Sequence, residues 1–162
     1  MNIKNKPWIP HVTVASIIER SENGEKQYLM VEERINGTLV INQAAGHWEH
    51  NETIVEAVQR ETLEETSYRV EPLSLTGIYT WTIPDEQSTR SSVDTFLRFT
   101  FQCKLIEKTE LPLDPDINRY LWLTEKEIRS EKYIKRSPLV LESLDDFLTK
   151  KNHPLNIFTD LN

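Results

Sequence analysis

Three carboxylates beside one arginine are the side chains in this sequence whose spacing best suits them to chemistry. Glu61, Glu64 and Glu65 are spaced i, i+3 and i+4, so on a helix of 3.6 residues per turn they form one cluster. Arg60 offsets only part of their negative charge. A hard divalent cation, which prefers oxygen ligands and keeps waters in its shell, would offset the rest. The cluster therefore predicts a site for Mg²⁺ or Mn²⁺.

The helix that carries the cluster must also pack against the rest of the protein. Glu61 and Glu65 would lie at nearly the same azimuth as Ile54 and Val58, whose apolar side chains mark the core-facing stripe. Burying ionised carboxylates beside one another is unfavourable unless a positive group pairs with them. A Glu-rich segment alone is usually a solvated helix face, so a functional interpretation needs further fixed positions.

Those positions lie just before the helix and extend the cluster into a longer motif. Its pattern is Gly46-x5-Glu52-x7-Arg60-Glu61-x2-Glu64-Glu65. This pattern resembles the Nudix box, the signature of a family of hydrolases that cleave compounds containing a nucleoside diphosphate linked to another group. The motif spans 20 residues and falls in a loop followed by a helix, as the box requires.

The resemblance implies a fold class and a metal site. Nudix domains are α/β proteins, in which an α/β/α sandwich with a mixed β-sheet carries the box as a catalytic loop–helix–loop. The positions that match the family's metal ligands are Glu61, Glu64, Glu65 and, through its backbone carbonyl, Ala45. In the family the metal neutralises a diphosphate and lowers the pKa of the water that attacks phosphorus. Glu64 or Glu65 is expected to help remove the proton from that water.

The remaining box positions match supporting roles. Arg60 belongs to the catalytic set with the glutamates and orients them, whereas Glu52 and Gly46 are structural. Two positions depart from the family, which usually has an aliphatic residue where Thr62 stands and a glycine where Ser67 stands. Neither departure removes a carboxylate, so the resemblance still implies an active enzyme.

The resemblance extends from Pro10 to about Ser143 and is most specific to the NudJ-type phosphatases within the family. The shared segments are residues 10–15, 31–37, 42–49 and 96–99, Asp116-Ile117 before Trp122, and Arg136-Ser137-Pro138-Leu139-Val140. Such enzymes hydrolyse nucleoside tri- and diphosphates, and 4-amino-2-methyl-5-hydroxymethylpyrimidine diphosphate, with release of orthophosphate. The same activity is the expectation for this chain.

Five residues outside the glutamate cluster are candidate ligands, each with a structural alternative. Asp116 is either a metal ligand or a turn-capping residue. Arg34 and Arg98 have the planar guanidinium that grips phosphate, but Arg34 also suits a surface position and Arg98 a structural ion pair. His47 would contact the diphosphate or transfer a proton, and Trp81 would stack on a base unless it packs in the core.

Hydrophobic periodicity and turn residues predict the elements that position these side chains. Strands are predicted over 11–18, 28–33, 38–42, 73–83, 95–105 and 120–123, and helices over 125–130 and 137–148. The box helix is predicted to begin at Asn51 as N-cap and to end near Ser67. Loops are predicted at 44–46, 84–94 and 110–116. These elements predict a mixed sheet with helices packed on it, in one domain over 1–162 with its core at about 10–148.

Composition limits the classes of protein to which the chain can belong. Its 162 residues carry a formal net charge of −7 and are 38% apolar and 28% charged, which excludes a disordered chain and argues against broad nucleic-acid binding. The sequence lacks both an apolar run of ~18 residues and a signal peptide, and its single cysteine, Cys103, excludes an intrachain disulfide. We expect a cytoplasmic monomer or homodimer that acts on a small phosphorylated metabolite or nucleotide and binds neither nucleic acid nor membrane.

The box is compatible with other functions. Dinucleoside polyphosphates, nucleotide sugars and oxidised nucleoside triphosphates are alternative Nudix substrates, because substrate choice lies in loops outside the box. A catalytically silent ligand sensor is an alternative from another class, but such domains typically lose box acids that this chain retains. A structural module would leave the clustered carboxylates unexplained. The metal used in the cell and the phosphate-containing product are also open.

Overall fold

Seven strands and three α-helices form the part of the chain that the computed structural model describes, residues 8–84 and 94–161. The strands are β1 His11–Glu22, β2 Glu25–Ile35, β3 Thr38–Asn42, β4 Ala44–His47, β5 Tyr68–Thr82, β6 Thr95–Lys108 and β7 Ile117–Thr124. The helices are α1 Ile54–Thr66, α2 Glu125–Arg129 and α3 Leu139–Leu148, and a short 3₁₀ turn follows at Leu155–Ile157. Most of the predicted loop 84–94 lies outside the described residues.

The strands form a mixed sheet, as predicted, and β1 lies at its centre. Strand β1 runs parallel to β6, with His11–Ile18 beside Phe96–Cys103, and its pairings with β2 and β4 are antiparallel. The strand order is β3-β2-β1-β6-β5, with β4 paired to β1 and β7 paired to β2.

The first hairpin divides the sheet into two halves. Strands β1 and β2 pair only beside their turn, where Glu19–Glu22 faces Glu25–Tyr28. Asn23 and Gly24 form that turn with positive φ angles of 52° and 82°. Farther from the turn the two strands take different partners, β4 for β1 and both β3 and β7 for β2. Residues of both halves therefore line the cavity that lies between them.

Helices cover both faces of the sheet. Ile17 and Ile18 are neighbours on β1 and point to opposite faces. Ile18 belongs to a buried cluster with Ile54 and Val58 of α1, whereas Ile17 belongs to a second cluster that contains residues of α2 and α3. The α/β/α sandwich is thereby confirmed. In residues 8–84 and 94–161, no helix is both long enough and apolar enough to span a membrane.

Two local predictions at the box were wrong. The N-cap of α1 is Thr53, not Asn51, because Thr53 and Glu56 form a reciprocal capping box; Asn51 lies before it with φ of 66°. The small-residue loop predicted at 44–46 is strand β4, which pairs with β1. The predicted helix end is confirmed at Ser67, a left-handed C-cap with φ of 59°.

Candidate active site

Helix α1 directs two of its three clustered glutamates at the sheet, as the spacing predicts. The Glu61 side chain is 12% exposed, whereas that of Glu64 is 48% exposed and faces outward. Glu65 is held against strand β4, where its Oε2 accepts a hydrogen bond from the Ala45 backbone N–H at 2.8 Å. The helix therefore presents two carboxylates to the interior and one to the rim.

Strand β4 passes so close to α1 that any side chain on Gly46 would displace the Glu61 carboxylate. A Cβ at Gly46 would lie 2.1 Å from the carboxyl carbon of Glu61, far inside the ordinary contact distance of 3.4 Å. The absence of a side chain is what allows the Glu61 carboxylate to lie against the backbone. The small residues of β4 thus form a cradle for the box glutamates.

Arg60 ties the loop before the helix to the glutamates on it. Its Nε and Nη2 donate to the two carboxylate oxygens of Glu52 at 2.9 and 2.7 Å, and Nη2 also donates to the His47 carbonyl at 3.0 Å. Its Nη1 donates to Glu61 at 2.7 Å and to Glu64 at 3.2 Å. This bidentate pairing lowers the pKa of Glu52, so Arg60 and Glu52 remain charged.

Replacing Arg60 is expected to destabilise this arrangement. Arg60→Ala leaves Glu52 and Glu61 with their charges uncompensated, and should lower the free energy of unfolding by about 2 kcal/mol in urea titration. Arg129→Ala is the matched control, because Arg129 also bridges two carboxylates, those of Glu125 and Asp145, but on the surface. Arg129→Ala should lower the free energy of unfolding by no more than about 1 kcal/mol. An equal decrease in both variants would contradict the structural role of Arg60.

Burial makes the inward carboxylates hard to ionise. Desolvation first, and then the nearby Glu61, Glu33 and Asp114, raise the pKa of Glu65 to about 8, although the hydrogen bond from the Ala45 N–H opposes the shift. Desolvation also raises the pKa of Glu61 despite its bond to Arg60. These oxygens therefore favour a cationic partner.

The geometry at the cluster is that of carboxylates held by Arg60. Among residues 8–84 and 94–161, no three histidine, cysteine, aspartate or glutamate side chains already converge as a metal cluster. Arg60 lies between Glu61 and Glu64, and the Glu64 carboxylate accepts no hydrogen bond from any other described residue. The donor set is all oxygen, which suits a hard cation.

A cavity of about 260 Å³ opens beside Glu65, between the two halves of the sheet. Its polar lining comes from several elements: Thr13, Glu33, Asn42, His47, Glu65, Arg98, Asp114, Asp116 and Arg136. It is smaller than the roughly 300–1,000 Å³ typical of sites that enclose a drug-sized ligand. The cavity therefore suits one end of a substrate and not the whole molecule.

Arg98 lies in the wall of this cavity and is almost completely buried. It is 6% exposed, and its Nη1 lies 3.4 Å from the side-chain oxygen of Asn42. Its Nε has no hydrogen-bond partner in the described part of the chain. Desolvation and the neighbouring Arg136 lower the pKa of Arg98 to about 10, against the opposing effect of Glu33 and Glu65. A buried arginine with a free donor is a strong attractor for an anion.

The sequence did not single out Glu33, Asn42 or Arg136 as site residues. All three lie in segments shared with the NudJ-type enzymes, and that was their only signal. The Arg136 guanidinium donates to the Glu33 carboxylate at 2.6 Å. The Arg136 backbone is anchored beside β3, because its N–H donates to the Ile41 carbonyl at 2.9 Å. These contacts between residues far apart in the sequence bring Glu33 and Arg136 together at the cavity.

His47 lies at the cavity in contact with a second histidine. Its Nε2 is 3.3 Å from Nδ1 of His11, and His11 Nε2 is 3.4 Å from the Asp94 carboxylate. Desolvation first, and then His11, lower the pKa of His47, so its imidazole is mainly neutral at pH 7. His11 stacks on Phe96 with ring centroids 5.0 Å apart.

The remaining candidates lie at the rim or elsewhere. Asp116 is exposed at the cavity mouth, where its N–H donates to the Asp114 carboxylate at 2.8 Å in a turn. Trp81 is partly buried and stacks on Phe96. Phe96 lines the cavity, whereas Trp81 does not. The structure does not bring Arg34 to this group, since its guanidinium donates to the Gly37 carbonyl at 2.9 Å within the β2–β3 turn.

The chain is similar to known proteins over most of its length. A family model, the NUDIX domain, matches residues 9–144. The curated Phosphatase NudJ of Escherichia coli (strain K12) is 39% identical over 155 residues, which cover 94% of this chain and 93% of that protein. The Phosphatase NudJ of Shigella flexneri matches to the same extent.

Solved structures agree with the sequence comparison. A NUDIX hydrolase from Nitrosomonas europaea is similar with a TM-score of 0.83 and 39% identity, over 94% of this chain and 97% of that one. A C. elegans Ap4A hydrolase has a TM-score of 0.58 at 16% identity, over 86% of this chain and 98% of that one. The second likeness concerns the fold alone.

Proposed function

The chain belongs to the Nudix hydrolase family, and on that premise we propose that it is a metal-dependent phosphohydrolase of the NudJ type. Its substrates would be nucleoside tri- and diphosphates, and 4-amino-2-methyl-5-hydroxymethylpyrimidine diphosphate, cleaved with release of orthophosphate. A divalent cation, Mg²⁺ or Mn²⁺, would be the cofactor. The proposal draws on the relatives named above and on the composition of the cavity.

The proposal is carried by one observation: a carboxylate and a buried guanidinium group line the same cavity. Glu65, with its raised pKa, lines one side of it, and the buried guanidinium of Arg98 lines another. Carboxylates suit a cation, and arginines suit the phosphate oxygens that such a cation accompanies. A phosphoanhydride with its divalent ion satisfies both.

The residues present fit such a cation. Buried carboxylates with raised pKa values, an all-oxygen donor set and the side-chain-free cradle at Gly46 point to it. Glu61, Glu64, Glu65 and the Ala45 carbonyl would hold it, with Asp116 at the rim as a further candidate. When bound, it supplies charge neutralisation for the phosphates and lowers the pKa of water.

The chain's own residues then orient the reaction. Arg60 and Glu52 fix the position of Glu61 through the hydrogen bonds described above, and Gly46 allows Glu61 to lie against β4. Glu64 or Glu65 would accept the proton of the attacking water. Arg98 and His47 would contact the phosphates. Most of the rate acceleration would come from positioning and charge stabilisation.

Other Nudix substrates are the main alternative, because the box is common to all of them. Dinucleoside polyphosphates, nucleotide sugars and oxidised nucleoside triphosphates would use the same glutamates. A silent ligand sensor has less support, since all four glutamates and Arg60 are present. Arg60 also bonds to Glu52, Glu61 and Glu64. Product identity separates these possibilities.

The decisive experiment measures orthophosphate and pyrophosphate separately. The protein is incubated with Mg²⁺ and, in turn, GTP, GDP, the pyrimidine diphosphate, ADP-ribose and a dinucleoside tetraphosphate, with EDTA as control. Orthophosphate from the first three, lost with EDTA, is the expected result. Pyrophosphate with a nucleoside monophosphate, or activity on ADP-ribose or the dinucleotide alone, would overturn the substrate assignment. No turnover of any compound would favour the sensor.

A further inference from the structure

We infer that Arg98, Arg136 and Asn42 form a subsite for the terminal phosphoryl group, so that the enzyme selects phosphate chains with a free end. This inference rests on the proposed function and assigns the part of the cavity that reads the substrate. The terminal group would lie at the inner end of the cavity, and the rest of the substrate would extend outward past the box glutamates.

Burial defines the inner end of the subsite. Arg98 stands on β6 with β1 on one side and β5 on the other, opposite Thr13 and Tyr79 in register. It is 6% exposed and lines the cavity, so we place the inner end of the cavity at its guanidinium. A phosphoryl group bound there would face buried protein on its inner side. The geometry therefore favours an end group over a bridging one.

Hydrogen-bonding capacity at Arg98 is left over for a ligand. Its Nη1 contacts Asn42 only at 3.4 Å, and its Nε is without a partner among the described residues. Leaving a buried charged donor unpaired is unfavourable. Phosphate oxygens, which accept charge-assisted hydrogen bonds from guanidinium groups, supply what is missing.

A second arginine faces the same space. Arg136 lines the cavity and is fixed by Glu33 at 2.6 Å and by its backbone bond to Ile41. Arg98 and Arg136 line the same cavity, and the positive charge of Arg136 lowers the pKa of Arg98. Glu33 is hydrogen-bonded to Arg136, so the two guanidinium groups and this carboxylate together carry one net positive charge. Glu65, Asp114 and Asp116 also line the cavity, and the proposed cation would offset their charge.

Charge explains why a terminal group is preferred. A terminal phosphoryl group carries up to two negative charges on three free oxygens, whereas an esterified one carries one charge on two. Two guanidinium groups and an amide match the first better than the second. Capping the terminal phosphate with a sugar should weaken binding both by charge and by the blocked inner end.

The test compares ADP with ADP-ribose, in which the terminal phosphate of ADP is esterified. Arg136→Gln is expected to lower kcat/KM for ADP by about 10- to 100-fold and to change the low kcat/KM for ADP-ribose by less than about threefold. Calorimetric binding of orthophosphate in the presence of Mg²⁺ gives a readout independent of turnover. The affinity for orthophosphate should be lower in Arg136→Gln than in the wild type, by about the same factor as kcat/KM for ADP.

Arg119→Gln is the matched control. Arg119 pairs with Glu32, the neighbour of Glu33 on β2, at 2.9 Å, and Glu32 points to the opposite face of that strand. This variant removes the same charge from an equivalent ion pair outside the cavity. It should leave both kcat/KM values and orthophosphate affinity unchanged, which separates a local effect from a change in overall charge.

Failure of this inference is distinguishable from failure of the proposed function. Equal losses for ADP and ADP-ribose in Arg136→Gln, or unchanged orthophosphate binding, would overturn the terminal subsite while the wild-type protein still hydrolyses ADP. A wild-type protein that turns over neither compound would overturn the proposed function. In that case the orthophosphate titration still decides whether the arginines bind a terminal phosphate.

Discussion

Glu65→Gln should lower kcat by about 10³-fold while making the protein more stable. The loss of activity follows from removing a carboxylate that is proposed to bind the cation and to accept a proton. The gain in stability follows from burial, because desolvation raises the pKa of Glu65 to about 8. An amide of the same shape avoids that desolvation penalty.

The stability effect has a defined pH dependence in the metal-free protein. Glu65 titrates near its ordinary pKa of 4.5 in the unfolded chain and near 8 in the folded one. The folded state therefore binds more protons between these values, and the free energy of unfolding should fall as pH rises through this window. Glu65→Gln should remove that decline and raise the free energy of unfolding by about 1–3 kcal/mol at pH 8.

Urea titrations in EDTA between pH 5 and 8, together with kcat in Mg²⁺, measure both effects. Glu71→Gln serves as the control, because Glu71 is an exposed residue of β5 and should leave both quantities unchanged. A fully active Glu65→Gln would remove Glu65 from the catalytic set. A stability that is lower than wild type at pH 8 would contradict the penalty assigned to burial.

The glutamate cluster was predictable from sequence because its geometry is local. Helical periodicity alone places Glu61 and Glu65 on the side of α1 that faces the core, and the structure has them there. The start of the helix is equally local, yet Asn51 and Thr53 are both good N-caps. Glu56, three residues after Thr53, was the deciding signal.

The inner part of the cavity could not be predicted from spacing. Arg98 and Arg136 are 38 residues apart in the chain, and Glu33 lies still farther from Arg136. They meet because β1 pairs in parallel with β6 and because the backbone of Arg136 bonds to β3. Long-range pairings of this kind leave no periodic trace. Arg98 was a candidate ligand because its guanidinium suits phosphate, and its spacing did not indicate Arg136 or Glu33 as neighbours.

Gly46→Ala should reduce kcat by about 100-fold with little loss of stability. The added Cβ would lie 2.1 Å from the Glu61 carboxyl carbon, and the ordinary contact distance begins at 3.4 Å. Glu61 must therefore move by more than 1 Å. Its carboxylate is the free end of a flexible side chain, so the fold can accommodate the shift. Catalysis does not tolerate the same shift, since a misplacement of about 1 Å in an active site reduces the rate by roughly 10²-fold.

Gly24→Ala is the control, and we expect it to lower stability without lowering activity. Gly24 has a φ of 82° and no atom within 4 Å of a Cβ built on it. Gly24→Ala should therefore lower the free energy of unfolding by about 1 kcal/mol through backbone strain and leave kcat unchanged. If Gly46→Ala instead lost stability in step with activity, Gly46 would serve packing of β4 on α1. A loss of activity alone means that the glycine is there to position Glu61.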